Sequence, residues 1–180
     1  MKVYFIRHGQ TDFNKEGRVQ GQEIDMPLNE IGISQAEKAI EFLPEGIDVI
    51  ISSPLNRAFQ TAEIINSKYN VDMVLRYDIQ ELKYGSLAGK NWQEIEEETC
   101  DADIRKKDVS AKYDYRIYGG ESVEDVKERV KKFVEYLKEN YEGKQVLVST
   151  HGGIIEALQS MYLEDKVVET KNCEIHEFNL

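Results

Sequence analysis

Cysteine is scarce in this chain. Its two cysteines, Cys100 and Cys173, lie far apart and form no metal-ligand or redox spacing, so a disulfide-dense scaffold is excluded and reduced thiols are expected. Long apolar runs are also missing. The N-terminal stretch from Met1 to Ile6 meets Arg7 and His8 too soon to be a signal peptide or a membrane span, and a cytoplasmic location is the expectation. Positive charge is in the minority, with 23 basic residues against 34 acidic ones and a formal net charge of -11. Such a balance repels nucleic acid and anionic lipid, so neither is expected as a partner. Any affinity for an anion must therefore be local, in a cleft where basic residues gather against the prevailing field. Repeats and low-complexity tracts are absent too. What remains is 41% hydrophobic and 32% charged over 180 residues, the composition of one soluble globular domain, residues 1–180, able to bury its own core.

The apolar pattern alternates strand and helix. Lys2 to Ile6 reads as a short buried strand that delivers Arg7 and His8 to its C-terminal tip, where Gly9 ends it. Gln145 to Thr150 reads the same way and stops at His151, Gly152 and Gly153. Ligands of open α/β sheets bind beyond the carboxyl ends of strands, so two histidines at two strand ends mark a candidate site. Between them, Asn29 is a plausible cap for a helix carrying Ile33, Ala36, Ile40 and Leu43 at helical spacing. A strand over Ile47 to Ile51 follows, then a helix to about Lys68 in which Ser52 and Ser53 can cap and Pro54 suits the first turn, with Arg57 near its start. Asp72 to Tyr77 reads as a further strand. Ser122, with Asp125 in an approximate capping box, opens a long helix whose face is Val123, Val126, Val130, Phe133, Val134 and Leu137. Ile154 to Tyr162 reads as a helix, and Glu174 to Phe178 as a closing edge strand holding His176 in a structural role. The charged segment at about 92–118 has poor periodicity. It reads as partly helical, and as either a binding wall or a solvated surface.

Singly, none of these residues persuades: an isolated strand-end histidine is more often structural than catalytic, Arg57 alone is a helix residue and Glu81 an ordinary acid. In combination they supply what phosphoryl transfer requires, namely a nucleophile, fixed cations around the equatorial oxygens and a proton for the leaving group. Neutral imidazole is nucleophilic, and arginine offers paired planar donors that fit phosphate. Side chains alternate along a strand, so Arg7 and His8 need the freedom of Gly9 to share one pocket.

The order of motifs carries a family resemblance. Arg7, His8, Gly9, Gln10, Thr11 and Asn14 are followed by Gln20 and Gly21, by Asp25, Pro27 and Leu28, and by Ser52, Ser53, Pro54, Leu55, Arg57 and Thr61. Then come Glu81 with Gly85 and Gly89, the triplet Gly120, Glu121, Ser122, and the run Ser149, Thr150, His151, Gly152, Gly153. Together they resemble the histidine phosphatase superfamily, the phosphoglycerate mutase-like family, over nearly the whole chain except about 92–118. The resemblance implies a single α/β domain with a central, mostly parallel β-sheet and helices on both faces. It implies that His8 is the nucleophile that becomes phosphohistidine, that Arg7, Arg57 and His151 form a positive clamp, and that Glu81 is the acid and then the base. Asn14, Gln20, Gly21, Tyr84 and Gly152 would complete the substrate pocket. Neither metal nor organic cofactor is implied, and the partner would be a small-molecule phosphate ester.

Within that family the chain reads as a phosphatase rather than a mutase. Glu81 to Asn91 is similar to the mutase pattern around its acid, but Leu82 stands where mutases carry an arginine for the substrate carboxylate, and the chain is shorter than the cofactor-dependent mutases. Lys83, Tyr84 and Lys90 are plausible pocket residues, with solvated loop positions as the alternative. A non-catalytic phosphate-binding module is disfavoured because every position the chemistry needs holds a competent residue. The chain says little about oligomeric state.

Overall fold

Strand alternation sorts the core into two layers. In the computed structural model, which describes residues 1–163 and 167–180, β1 (Lys2–Arg7) buries Val3 and Phe5 on one side and Tyr4 and Ile6 on the other. The same split runs through β2 (Val49–Ser52) and β4 (Val146–Thr150): Val49, Ile51, Val146 and Val148 join the first cluster, Ile50 and Leu147 the second. With β3 (Met73–Leu75) and β5 (Ile175–Asn179) these strands form one five-stranded sheet of order β3-β2-β4-β1-β5. Every pairing is parallel except that of β5, which closes the edge antiparallel to β1. Strands apolar on both faces need cover on both.

One face is covered by α6 (Val123–Tyr141) and α7 (Gly152–Tyr162), the other by α2 (Glu30–Ala39) and α3 (Asn56–Tyr69). Helix α6 buries the face its spacing predicts, and Ser122 and Asp125 make the expected capping box. The protein is thus the expected α/β domain with a mostly parallel sheet. No helix among the described residues is long and apolar enough to cross a membrane.

Several local expectations need correction. Helix α2 is capped by Asn29, and Ala36, Ile40 and Leu43 turn to the core as expected, but Ile33 is 42% exposed and Gly32 and Ala39 are buried in its stead. The first turn of α2 is set by close approach, since a Cβ on Gly32 would strike the backbone of Gln10 and one on Gly9 would strike Gly32. Close contact with α2, not a left-handed turn, is therefore what position 9 requires. Helix α3 begins at Asn56, beyond Pro54, and neither serine caps it from the N-cap position, which is Leu55. Asp25 Oδ1, from another loop, accepts from the Asn56 N–H at 2.7 Å instead, while Ser53 Oγ accepts from the Leu55 N–H at 3.3 Å, one residue before the helix. Strand β3 is shorter than Asp72 to Tyr77, and Tyr77–Ile79 is a 3-10 turn.

The segment at about 92–118 is built into the core. It contains α4 (Trp92–Thr99), capped by an Asn91–Glu94 box, and α5 (Ile104–Val109), and it buries Ile95, Ile104, Tyr113 and Tyr115 against the layer formed by α6 and α7. Its weak periodicity has a simple cause: the buried side chains come from short helices and the turns between them.

Candidate active site

The carboxyl ends of β1 and β4 are adjacent and in register, Arg7 opposite Thr150, and the next residue on each strand is a histidine. Their rings share one locus, with centroids 5.3 Å apart and planes tilted by 59°. A cleft of about 780 Å³ opens there, lined by Arg7, His8, Asn14, Gln20, Gly21, Arg57, Glu81, Tyr84 and Gly152. His151 does not line it; wholly buried, it stands beside His8.

His8 has a defined tautomer. Its Nδ1 lies 2.7 Å from the carbonyl oxygen of Gly9, an atom that only accepts, so Nδ1 carries the proton and Nε2 keeps its lone pair. The Gly9 N–H in turn donates to Thr61 Oγ1 at 3.0 Å, and the Thr61 hydroxyl donates to the Arg57 carbonyl at 2.8 Å. Burial, then the neighbouring charges of Arg57 and Arg7, hold the His8 imidazole well below its usual range, so it is neutral at physiological pH.

Arg57 is fully buried on the first turn of α3, where Nη2 donates to the Gly21 carbonyl at 2.8 Å and Nη1 to that of Ile24 at 3.2 Å. Arg7 donates from Nη1 to the Thr170 carbonyl. The Nε atoms of both arginines are buried without partners, as are Gln20 Oε1 and His151 Nδ1. Unpaired buried donors of this kind cost stability unless a ligand takes them, and two arginine N–H groups in one cleft suit an oxyanion. His151 Nε2 lies 2.8 Å from Ser53 Oγ. Burial, with Arg57 and His8 beside it, holds this imidazole well below its usual range as well, so that the fixed charges of the site are those of Arg7 and Arg57.

Glu81 follows the 3-10 turn Tyr77–Ile79 and its carboxyl is pushed up from its ordinary range by burial, against the opposing pull of Arg57 and Arg7. Space for it comes from Gly153, where a Cβ would lie 2.7 Å from Glu81 Oε1. Asn14 Oδ1 is taken by the Thr11 N–H at 3.1 Å and by Asn172 Nδ2 at 3.3 Å, which leaves the Asn14 amide NH2 for an anion. Tyr84 contributes its ring to the wall, but its hydroxyl is committed to Asp108 at 3.1 Å. Lys83 and Lys90 do not line the cleft, and Lys90 is paired with Glu98.

Several lining residues had no signal in the sequence. Trp92, Arg105 and Asp108 make the segment at about 92–118 a wall of the cleft, and Glu156, Thr170 and Asn172 close the opposite side. Asn172 Nδ2 donates to the His8 carbonyl at 3.0 Å, fixing the loop before β5 to the tip of β1. Asp108 is pushed up to about 7 and Glu156 to about 8, in both cases chiefly by burial; the charge of Glu81 adds to both, and that of Asp108 to Glu156. Gly153, visible only as part of a motif, has the specific task of admitting Glu81.

Comparison with known proteins agrees with this geometry. A family model described as the histidine phosphatase superfamily (branch 1) matches residues 3–180. A relative from Escherichia coli O1:K1 / APEC, named probable phosphoglycerate mutase GpmB, is 34% identical over 181 residues, covering 97% of this chain and 83% of that protein. Among solved structures, the mycobacterial glucosyl-3-phosphoglycerate phosphatase in complex with VO3 is 26% identical with a TM-score of 0.83, covering 98% of this chain and 90% of that one. A phosphoserine phosphatase mutant from Entamoeba histolytica, in complex with phosphoserine, is 26% identical with a TM-score of 0.82, covering 99% and 90%.

Proposed function

The chain belongs to the histidine phosphatase superfamily, branch 1, and on that premise we propose that it is a phosphomonoester hydrolase acting on a small phosphorylated metabolite through phosphohistidine at His8. One observation carries the reading: the Gly9 carbonyl fixes the Nδ1 proton of a neutral His8 and so frees Nε2 in a cleft that holds two arginines. The Nε2 lone pair forms the bond to phosphorus as the bond from phosphorus to the ester oxygen breaks. Arg7 and Arg57 balance charge on the equatorial oxygens, with Asn14, Gln20, Gly21 and Gly152 around them and Tyr84 in the wall. Glu81, whose carboxyl burial pushes toward its protonated form, gives its proton to the leaving oxygen. As carboxylate it then takes a proton from water while that water attacks phosphorus, and the bond from phosphorus to nitrogen returns its electrons to Nε2. His151 stands beside His8, outside the lining of the cleft, where its neutral ring supports His8 without adding charge.

Hydrolysis rather than mutase chemistry is supported by Leu82. It is buried and packs against Gly153, so an apolar side chain occupies the place where mutases hold an arginine for the substrate carboxylate. Two of the similar structures carry phosphatase names. The name of the Escherichia coli relative favours a second reading, phosphoglycerate mutase-type transfer. A cytoplasmic setting is part of the proposal and rests on two unpaired cysteines.

The test is phosphate release from a panel of phosphorylated metabolites, beside isomerisation of 3-phosphoglycerate primed with its bisphosphate. Rapid isomerisation with negligible hydrolysis would replace the phosphatase reading with the mutase one. His8→Ala should abolish turnover; an active variant overturns the mechanism. A wild-type protein that binds phosphate esters but turns none over is a binding module.

A further inference from the structure

Glu81 sits in a loop with no regular hydrogen-bond ladder, yet its backbone is closely held. Arg129, near the start of α6, donates from Nη1 to the carbonyls of Asp78 at 2.9 Å and Gln80 at 2.7 Å, and from Nη2 to that of Glu81 at 3.2 Å. Thr150 Oγ1 takes the remaining carbonyl of the run, Ile79, at 2.7 Å. The other face of the Arg129 fork meets Glu121, Nε to Oε1 at 3.0 Å and Nη2 to Oε2 at 3.1 Å. Glu121 then grips the far side of the loop, accepting from the Lys83 N–H at 2.9 Å and donating its own N–H to the Lys83 carbonyl at 3.0 Å.

All five guanidinium N–H groups are thereby used, and neither Arg129 nor Glu121 lines the cleft, so this arginine has no donor to spend on substrate. Burying an ion pair is costly in itself, and four successive carbonyls can be satisfied by cheaper means, such as a helical turn. A fork that takes carbonyls on both sides of a single residue instead fixes that residue's position and direction. The triplet Gly120, Glu121, Ser122 thus gains a use beyond capping α6.

We propose that Arg129 and Glu121 are positioning residues that clasp residues 78–83 and so set the place of the Glu81 carboxyl over the leaving oxygen. The proposal rests on Glu81 being the proton donor. The charge of Arg129 also favours the ionised form of Glu81, restraining the rise that burial imposes.

The test compares kcat/KM for p-nitrophenyl phosphate, whose leaving group needs little protonation, with that for an alkyl phosphate, whose leaving group needs it fully. In Arg129→Met the alkyl ester should lose on the order of ten-fold or more beyond the loss for the nitrophenyl ester, since general acid catalysis contributes roughly 100-fold to 10,000-fold and tolerates little displacement. Arg129→Lys, which can reach only part of the carbonyl set, should fall between. The alkaline limb of the pH profile should move upward in Arg129→Met, because Glu81 loses a cation that favours its ionised form. Equal losses for the two esters, with the limb unmoved, overturn the clasp. Where Arg129→Met does not fold, Glu121→Gln gives the same comparison with the shape of the side chain kept, and equal losses there overturn it as well. Glu81→Gln separates the two ideas: if it shows no selective loss for the alkyl ester, the role of Glu81 fails; if it does and the clasp variants do not, only the clasp fails.

Discussion

Replacing Gly153 by alanine adds one methyl group at the second residue of α7, and elementary propensity says that the helix should gain. Alanine is better than glycine in a helix by about 1 kcal/mol, which in a chain of this size corresponds to a rise in Tm of roughly 2 to 4 °C. The surroundings say otherwise. The new Cβ would lie 2.7 Å from Glu81 Oε1 and closer still to Leu82 Cδ2, where ordinary contact begins at 3.4 Å. The carboxyl must retreat by about 0.7 Å, and misplacement of a catalytic group by about 1 Å can cost on the order of 100-fold. A loss of 10-fold to 100-fold in kcat/KM for an alkyl phosphate is therefore expected, about 1.4 to 2.7 kcal/mol in the barrier. The helix gain should largely vanish into the displaced Leu82. Steady-state kinetics with an alkyl ester and a thermal melt of the same protein decide the matter. An alanine variant that is several degrees more stable and within two-fold of wild-type activity would refute the reasoning, because it would show that the carboxyl has room to spare.

Arg57→Lys should lower kcat/KM by about 100-fold or more and weaken inhibition by vanadate in parallel, since a single ammonium cannot hold the Gly21 and Ile24 carbonyls and still present paired donors to an oxyanion; both are read by steady-state kinetics. Ser122→Ala removes the hydroxyl half of the α6 capping box and should cost about 1 kcal/mol, seen as a lower urea midpoint with an unchanged slope. Glu156→Gln should stabilise the fold at alkaline pH. The carboxyl is raised to about 8 in the folded chain, so its favourable contribution is complete below its unfolded value near 4.5 and is lost as pH rises through about 8. The amide keeps an oxygen for the Thr170 N–H and cannot ionise. Urea unfolding at pH 5 and pH 8 should show the variant gaining on wild type at the higher pH, by a few kcal/mol in order of magnitude.

Much of this fold is legible because strands and the long helix obey a single period. The residues from Val3 to Ile6 and from Val146 to Val148 are apolar on both faces, and α6 repeats its buried face over 19 residues, so local pattern and tertiary packing agree. Legibility fails where contact, not periodicity, decides. Helix α2 leaves Ile33 outside the core because Gly32 meets the backbone of Gln10, and the first N–H of α3 is taken by Asp25, 31 residues back in the chain. The site shows the same division. Arg7, His8, Arg57 and Glu81 are legible because the chemistry of phosphate needs those side chains and the motifs order them. Asn172, Asp108 and the carbonyl-holding role of Arg129 are not, since a polar residue that matters through one long-range hydrogen bond has nothing nearby in sequence to mark it.

The two groups assigned to proton and phosphoryl transfer are governed by one physical cause acting with opposite signs. In water, a glutamate and a histidine sharing one proton place it on the histidine, and the state with neutral imidazole and neutral carboxyl is held by roughly one molecule in a hundred. That minor state is the one the reaction needs, because a protonated imidazole cannot attack phosphorus and an ionised carboxyl cannot protonate the leaving oxygen. Burial penalises both charged forms together. It lowers the histidine and raises the glutamate, and it is the largest influence on each. The arginines do not act so evenly: Arg57 and Arg7 help to discharge His8 but also favour ionised Glu81. A phosphate dianion arriving between the arginines offsets their field, which removes the influence that favours the wrong form of Glu81 while burial still keeps His8 neutral. Asp108 and Glu156 share the cleft, and each is itself raised by burial and by the charge of Glu81. An acidic protein can thus bind an anion and push the proposed catalytic acid toward its protonated form in one cleft, because the cations needed for the first task are cancelled by the substrate at the moment the second begins.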